Sequence, residues 1–148
     1  MRERAAPRVH VDAGDDVGAP IRLLERAVLA ALSMEGRDDL EVSVALLDDA
    51  DMHELNRRYL GKDAPTDVLA FALGEDDDLV GDIYIGVEQA ARQAKELDVT
   101  LEEELARLAI HGTLHVLGYD HPEGRGRETS EMFVLQERLL AEVLAEPS

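Results

Sequence analysis

Three of the five histidines in this chain of 148 residues lie within eleven consecutive positions, as His111, His115 and His121. Three imidazole nitrogens at about 2.0 to 2.1 Å from a zinc ion leave its fourth position open for water, which is the arrangement of catalytic zinc sites. The chain contains no cysteine, so a zinc site here must be built from imidazole and carboxylate groups. The cluster therefore predicts one catalytic zinc ion per chain, bound by these three histidines.

A single helix must position the first two histidines, and the capping-box pattern Thr100–Glu103 predicts its start. The predicted helix has an inward apolar stripe made of Leu101, Leu105 and Leu108. Continuing that stripe by three and then four residues places His111 and His115 on one face, one turn apart. Gly118 suits the left-handed conformation that ends a helix, after which the chain can turn back and bring His121 to the same point. Two histidines at this spacing alone would be interpreted as ordinary core or surface residues, so the metal prediction depends on the third.

The remaining patterns predict an α+β domain. Apolar residues at helical spacing predict further helices over 20–35, 49–59, 87–97 and 129–145. Alternating or β-branched runs predict strands over 8–11, 41–47, 66–73 and 79–85, the last two forming an antiparallel hairpin. Pro20 suits the first turn of the first helix, Gly36 suits its exit, and Asp49 is the predicted cap of the second helix. We expect a single domain over residues 1–148, in which a mixed four-stranded sheet packs with about five helices.

The charge of the chain sets limits on its partners. It contains 15 basic and 33 acidic side chains, a formal net charge of −18, which opposes long-range attraction to phosphate backbones. The first ~20 residues lack the apolar core of a signal peptide, and no apolar run reaches the length of a membrane span. We therefore expect a cytoplasmic protein without a membrane partner.

The spacing H-x-x-x-H-x-x-G-x-x-H is also that of the metzincin proteases, so the predicted metal helix is zincin-like. In those proteases a glutamate directly after the first histidine acts as the general base. That position is Gly112 here. Without a carboxylate there, the usual route for deprotonating zinc-bound water in peptide hydrolysis is missing, which makes a protease the weaker interpretation.

Three segments together match one known family. The string HGTLHVLGYDH at 111–121 fits the pattern H-G-x-L-H-x-x-G-Y-D-H. Asn56, Tyr59 and the segment GKDAPTDVLAF at 61–71 fit a second pattern, and GDIYI at 81–85 fits a third. In these segments and their order, over about residues 40–125, the sequence resembles the YbeY-type endoribonucleases, which are bacterial rRNA maturation factors.

The resemblance implies a zinc-dependent endoribonuclease that cleaves single-stranded RNA, acting in rRNA maturation at the 3′ end of the small-subunit RNA and in ribosome quality control. It implies ribosomal RNA and the small ribosomal subunit with its proteins as partners. It also implies zinc binding by the residues at His111, His115 and His121. A zinc ion can polarise a phosphoryl oxygen and lower the pKa of bound water towards about 7, which suits this chemistry.

The sequence departs from the family pattern at Leu60, where the family commonly has an active-site arginine directly after the tyrosine. Arg58 and Lys62, with Arg57, lie nearby and can contact phosphate in its place, because a cation is useful where negative charge builds up on a phosphoryl group. Each of these cations is also consistent with a solvated helix end. Asp120 either orients a histidine by accepting its hydrogen bond or stabilises the turn after the helix.

Two other functions stay open from the sequence. The metzincin-like spacing and the acidic surface are consistent with a metal-dependent hydrolase of another substrate, such as a peptide. Leu60 and the missing glutamate are consistent with a non-catalytic, zinc-containing ribosome assembly factor.

Overall fold

Four strands and five helices follow one another along the residues that the computed structural model describes, which are 8–14, 18–37, 39–75, 78–119 and 131–146. The strands are β1 (Arg8–Asp12), β2 (Glu41–Leu47), β3 (Val68–Leu73) and β4 (Val80–Gly86). The helices are α1 (Ile21–Met34), α2 (Asp49–Leu60), α3 (Val87–Leu97), α4 (Leu101–Val116) and α5 (Glu131–Ala145). The predicted α+β class and its elements are confirmed.

The four strands form one mixed sheet in the order β1-β2-β4-β3. The pairs β1–β2 and β2–β4 are parallel, and β3 pairs antiparallel with β4 from Val68↔Ile85 to Leu73↔Val80. This antiparallel pairing confirms the predicted hairpin. Strand β3 lies at an edge of the described sheet, so one side of its backbone faces no neighbouring strand there.

The apolar core lies between the sheet and the helices that cover it. Every second residue of β2 is buried, because successive side chains of a strand point to opposite faces. Helix α4 is enclosed by its neighbours, since ten of its 16 residues are buried. Within the described residues, no helix combines the length and the apolar character that a membrane span requires.

Two glycines allow α4 to lie directly against β4. A Cβ atom at Gly112 would come 2.8 Å from Cγ2 of Ile83, and one at Gly81 would come 2.8 Å from Cγ1 of Val116. Both distances are well below a normal carbon–carbon contact, so the close approach of helix and strand requires glycine at both positions. The helix that carries the histidines is therefore seated firmly on the central part of the sheet.

Some element boundaries differ from the sequence prediction. The cap of α2 is Asp48 rather than Asp49, since its carboxylate accepts a hydrogen bond from the backbone N–H of Asp51 at 2.8 Å. Pro20 directly precedes α1 instead of lying in its first turn. Strand β3 begins at Val68, whose backbone N–H donates to the Asp67 side chain at 2.8 Å. Residues 129–130, the predicted start of the last helix, lie outside the described residues.

Candidate metal centre

Helix α4 ends directly after the second histidine in a hydrogen-bonded C-terminal motif. Gly118 has a φ of +100°, and its N–H donates to the carbonyl of His115 at 3.0 Å. The N–H of Tyr119 donates to the carbonyl of Leu114 at 2.9 Å, which completes a Schellman motif. The predicted helix-ending role of Gly118 is confirmed. The Tyr119 hydroxyl donates to the Glu35 carboxylate near the end of α1, so the chain leaves the helix in a fixed direction.

The two described histidines of the cluster face each other at the end of α4. The Nε2 atoms of His111 and His115 lie 3.2 Å apart, and the ring centroids are 4.7 Å apart with an interplanar angle of 76°. Two nitrogens bound tetrahedrally to one zinc ion at about 2.05 Å would lie roughly 3.3 Å from each other. The two rings therefore share one face of α4, as the i, i+4 pattern predicts, and their spacing would suit two ligands of one zinc ion.

Gln136 of α5 holds the imidazole of His111 from the other side. Its Oε1 lies 2.7 Å from Nδ1 of His111, while its Nε2 donates to the Glu137 carboxylate at 3.0 Å. Because a carboxylate only accepts, the contact with Glu137 fixes which end of the amide faces the histidine. Nδ1 of His111 is then the donor, and in the neutral ring Nε2 carries the lone pair that a metal needs.

Behind Gln136 lies a network of charged side chains that joins α3, α4 and α5. Arg107 donates to Glu137 at 2.9 Å and to Glu104 at 2.5 Å. Glu104, which is only 2% exposed, also accepts a hydrogen bond from Gln93 at 2.8 Å. Burial acts to lower the pKa of Arg107, but hydrogen bonds to Glu137 and Glu104 outweigh it, so the pKa lies above its ordinary value. The guanidinium is thus permanently charged and committed to carboxylates.

A cavity of about 820 Å³ contains the histidine pair. It is bounded by the end of α2 and the loop after it, by β3, and by side chains of α3, α4 and α5. Asn56, which is 4% exposed, ties the loop to α2 by donating to the carbonyl of Ala64 at 2.8 Å. His53 and Asp63 add a second tie, with 2.6 Å between Nε2 and Oδ1. The cavity wall on this side is therefore anchored.

The residues predicted to contact phosphate differ in whether they line the cavity. Lys62 is exposed and lines the cavity, and so does Leu60, the residue that stands where the family commonly has arginine. Arg58 is exposed in the last turn of α2 and is not among the cavity-lining residues. His121 and Asp120 lie outside the described residues. Within the described ranges, no group of three His, Asp or Glu side chains is placed to hold a metal ion.

Sequence reasoning missed the polar side chains that support the histidines. Gln136 is 5% exposed and lies four residues after Met132, within the inward stripe of α5. Glu104 occupies a buried position of α4 next to Leu105. A polar residue at an inward position of an apolar stripe was the available signal, because buried polar groups are almost always hydrogen-bonded.

The packing of Gly112 weighs against a peptidase. A Cβ atom at this position points at the side chain of Ile83, which is itself 1% exposed. A glutamate after the first histidine would therefore meet the sheet rather than the cavity. The residue that metzincin proteases use as general base has no room here.

Comparisons with known proteins agree on one family. The family model described as Endoribonuclease YbeY matches residues 16–144. A relative of that name from Moorella thermoacetica is 48% identical over 133 residues, covering 81% of this chain and 84% of the relative. One from Bacillus subtilis is 37% identical over 147 residues, covering 88% and 92%. A solution structure of a Thermotoga maritima protein superposes with a TM-score of 0.66 at 31% identity, covering 91% of this chain and 88% of that one.

The chain combines an α+β fold with a pair of imidazoles inside a cavity. The matches then give the family: the chain belongs to the YbeY endoribonucleases. This membership confirms the predicted resemblance and the prediction of an enzyme in the nuclease class.

Proposed function

We propose that the chain is a zinc-dependent endoribonuclease that cleaves single-stranded ribosomal RNA, acting at the 3′ end of the small-subunit RNA during its maturation and in ribosome quality control. The observation that carries this proposal is the approach of two Nε2 atoms to 3.2 Å inside a cavity of a YbeY-family chain. Two lone pairs that face each other at this distance repel unless a proton or a cation lies between them.

The donor set suits zinc. His111 and His115 would supply two imidazole nitrogens, and we assign the third to His121, which follows the chain reversal at Gly118. When bound there, zinc would supply polarisation of a phosphoryl oxygen and a lowered pKa of coordinated water. Three neutral ligands leave the full charge of the ion available to a phosphate, which suits RNA more than a neutral peptide bond.

The chain's own residues prepare the site for a phosphodiester. Gln136 holds a proton at Nδ1 of His111 and thereby keeps Nε2 directed at His115. Lys62 lies at the cavity wall without an ion-pair partner among the described residues, so its ammonium group is available to a phosphate oxygen. Arg107 cannot take this role, because its guanidinium is held by the carboxylates of three glutamates.

The partners that we propose are ribosomal RNA and the small ribosomal subunit with its proteins, which places the enzyme in the cytoplasm. A net charge of −18 disfavours tight binding to free RNA through long-range attraction. Contacts with the ribosomal subunit would supply the attraction that the chain lacks, while Lys62 provides positive charge locally at the cavity.

The test measures zinc content and RNA cleavage in the same protein preparations. We expect about one zinc ion per wild-type chain, and loss of both zinc and cleavage in His115→Ala. His10→Ala is the matched control, because this histidine lies on β1 with 63% of its side chain exposed and should leave both unchanged. The RNA is a single-stranded fragment ending in the precursor 3′ sequence, compared with its duplex form.

Each outcome separates one alternative. Zinc with no cleavage of RNA, free or in precursor subunits, would support a non-catalytic assembly factor. Cleavage of a peptide library that His115→Ala abolishes would support a hydrolase of another substrate. Wild-type protein that holds no zinc even when zinc is supplied would refute the proposed metal centre.

A further inference from the structure

Three aromatic rings form a row whose middle member lines the cavity. The ring centroids of Tyr59 and Phe71 lie 5.5 Å apart at an interplanar angle of 61°, and those of Phe71 and Tyr84 lie 6.1 Å apart at 66°. We call these three residues the aromatic row. Phe71 lines the cavity that contains the histidine pair, whereas Tyr59 and Tyr84 do not. The row therefore meets the cavity at Phe71 and extends from there to the exposed ring of Tyr59.

The aromatic row lies on the side of the sheet that faces away from α4. Phe71 is paired with Asp82, one residue before Ile83 in β4. Because neighbouring residues of a strand point to opposite faces, Phe71 is on the opposite face from Ile83, which packs against Gly112 of α4. Tyr59 reaches this face from the last turn of α2 and is 60% exposed.

The exposure of Tyr59 is unusual for its size, since aromatic side chains usually gain their stability by burial. Its contact with Phe71 is edge-to-face, an arrangement that covers only part of each ring. The remaining ring surface of Tyr59 faces solvent, and the next residue along the chain, Leu60, lines the cavity.

The charges at the two ends of the row are opposite. Arg58 and Lys62 lie on either side of Tyr59 in the sequence, are both exposed, and form no ion pair within the described part of the chain. Arg57, by contrast, is paired with Glu54 at 2.7 Å. At the other end, burial and the nearby charge of Asp82 raise the pKa of Tyr84. Positive charge is thus available beside Tyr59, whereas the carboxylate of Asp82 lies beside Tyr84.

We infer that Tyr59 and Phe71 form a stacking surface for the bases of single-stranded RNA that flank the cleavage position, with Arg58 and Lys62 contacting the adjacent phosphates. Stacked bases gain about 1 to 3 kcal/mol each on aromatic side chains, largely independently of sequence. Unpaired bases alone can reach such rings, because bases in a duplex are already stacked. The inference rests on the proposed function only for the class of substrate.

A spectroscopic test is available because the chain contains no tryptophan. Tyr59→Trp places a single indole in the proposed stacking surface, and Leu97→Trp places one at the end of α3, where the side chain is 56% exposed and outside the cavity lining. Both variants are titrated, without zinc, with an oligouridylate of roughly 12 nucleotides, a length within the site sizes of known single-strand-binding folds. We expect saturable quenching in Tyr59→Trp and none in Leu97→Trp.

Binding measurements on Tyr59→Ala complete the test. Loss of one stacking contact should weaken oligouridylate binding about 5- to 150-fold, whereas Tyr59→Phe should bind like wild type. A duplex of the same length should not quench the indole of Tyr59→Trp. Equal quenching in both tryptophan variants, or Tyr59→Ala binding within twofold of wild type, would overturn the inference.

The result is distinguishable from a failure of the proposed function. If zinc-loaded wild type does not cleave RNA but Tyr59→Trp is quenched by single strands, the stacking surface stands and the nuclease proposal fails. If wild type cleaves RNA but Tyr59→Ala binds oligouridylate as tightly as wild type does, the stacking inference fails and the nuclease proposal stands.

Discussion

Replacing Gln136 by leucine removes the hydrogen-bond acceptor of the His111 ring while keeping a side chain of similar volume. The contact is short, at 2.7 Å, and Gln136 is 5% exposed, so water does not readily take its place. His111 is half-buried, and leaving its donor unsatisfied against an apolar side chain costs up to about 1 to 3 kcal/mol. In the zinc-free Gln136→Leu variant, the His111 ring avoids this cost by moving its proton from Nδ1 to Nε2, the nitrogen that would otherwise bind zinc.

Zinc binding to Gln136→Leu must reverse this proton shift, and its affinity falls by the corresponding free energy. A penalty of about 1.4 to 2.8 kcal/mol raises the dissociation constant for zinc ten- to hundredfold. This range is typical for loss of the hydrogen-bond acceptor behind a metal-bound histidine. Competition with a chromophoric chelator measures this affinity. Long-range ¹⁵N–¹H correlation spectra of the zinc-free protein report independently which ring nitrogen of His111 carries the proton.

Two variants control the experiment. Gln136→Glu retains an acceptor for the histidine but loses the donor to Glu137, and it should bind zinc more tightly than Gln136→Leu. Gln93→Leu removes another glutamine of the cavity wall, one that donates to Glu104 at 2.8 Å rather than contacting a histidine, and should leave the zinc affinity unchanged. The reasoning is refuted if Gln136→Leu binds zinc within twofold of wild type or keeps the His111 proton at Nδ1.

Three further changes probe other parts of the chain. Gly112→Ala gains about 1 kcal/mol of helix propensity. It also brings a Cβ atom to 2.8 Å from Cγ2 of Ile83, and this clash costs about 1 to 3 kcal/mol. Urea unfolding should therefore show a free energy of unfolding that is lower by roughly 1 kcal/mol. Leu60→Arg adds a cation at the cavity wall and should tighten oligonucleotide binding about fivefold at low salt. Tyr119→Phe should lower stability at neutral pH. Because the hydrogen bond to Glu35 raises the pKa of Tyr119, that difference persists below the ordinary tyrosine pKa of about 10 and disappears as the pH rises through the raised value.

These three predictions have separate controls. In the glycine variant, adding Ile83→Ala should remove the clash, so a double-mutant cycle that gives simple additivity would contradict the packing argument. For the arginine variant, Leu97→Arg adds the same charge at the end of α3, and equal tightening there would show a general charge effect. For the tyrosine variant, a stability difference that is constant from pH 7 to well above 10 would exclude the proposed hydrogen bond.

The elements that carry the histidines could be predicted because each has a local signal in the sequence. Thr100 caps α4 by accepting from the N–H of Glu103 at 3.1 Å, and Gly118 ends it with a positive φ. The apolar stripe between these two points then determines that His111 and His115 share a face. The error at Asp49 has a local cause as well, since Asp48 and Asp49 are chemically equivalent candidates for the same cap.

The supporting contacts could not be predicted in the same way, because they join positions that are distant in the sequence. Gln136 contacts a histidine 25 residues earlier, and no periodicity relates the two. The aromatic contact between Phe71 and Tyr84 depends on strand register, which the alternation of apolar residues defines only loosely in so short a hairpin. Partners for buried polar groups are chosen by tertiary packing, so a sequence shows that a partner is needed without showing which one.

The position of Gln136 on α5 makes the docking of this helix and the occupancy of the histidine pair mutually dependent. By thermodynamic linkage, the factor by which bound zinc raises the equilibrium constant for docking of α5 equals the factor by which docking of α5 raises the affinity for zinc. Amide hydrogen exchange in α5 should accordingly slow when zinc is added, even in residues far from any ligand. A protein or RNA that pulls α5 away from α4 would therefore weaken the proposed zinc binding without touching a single histidine.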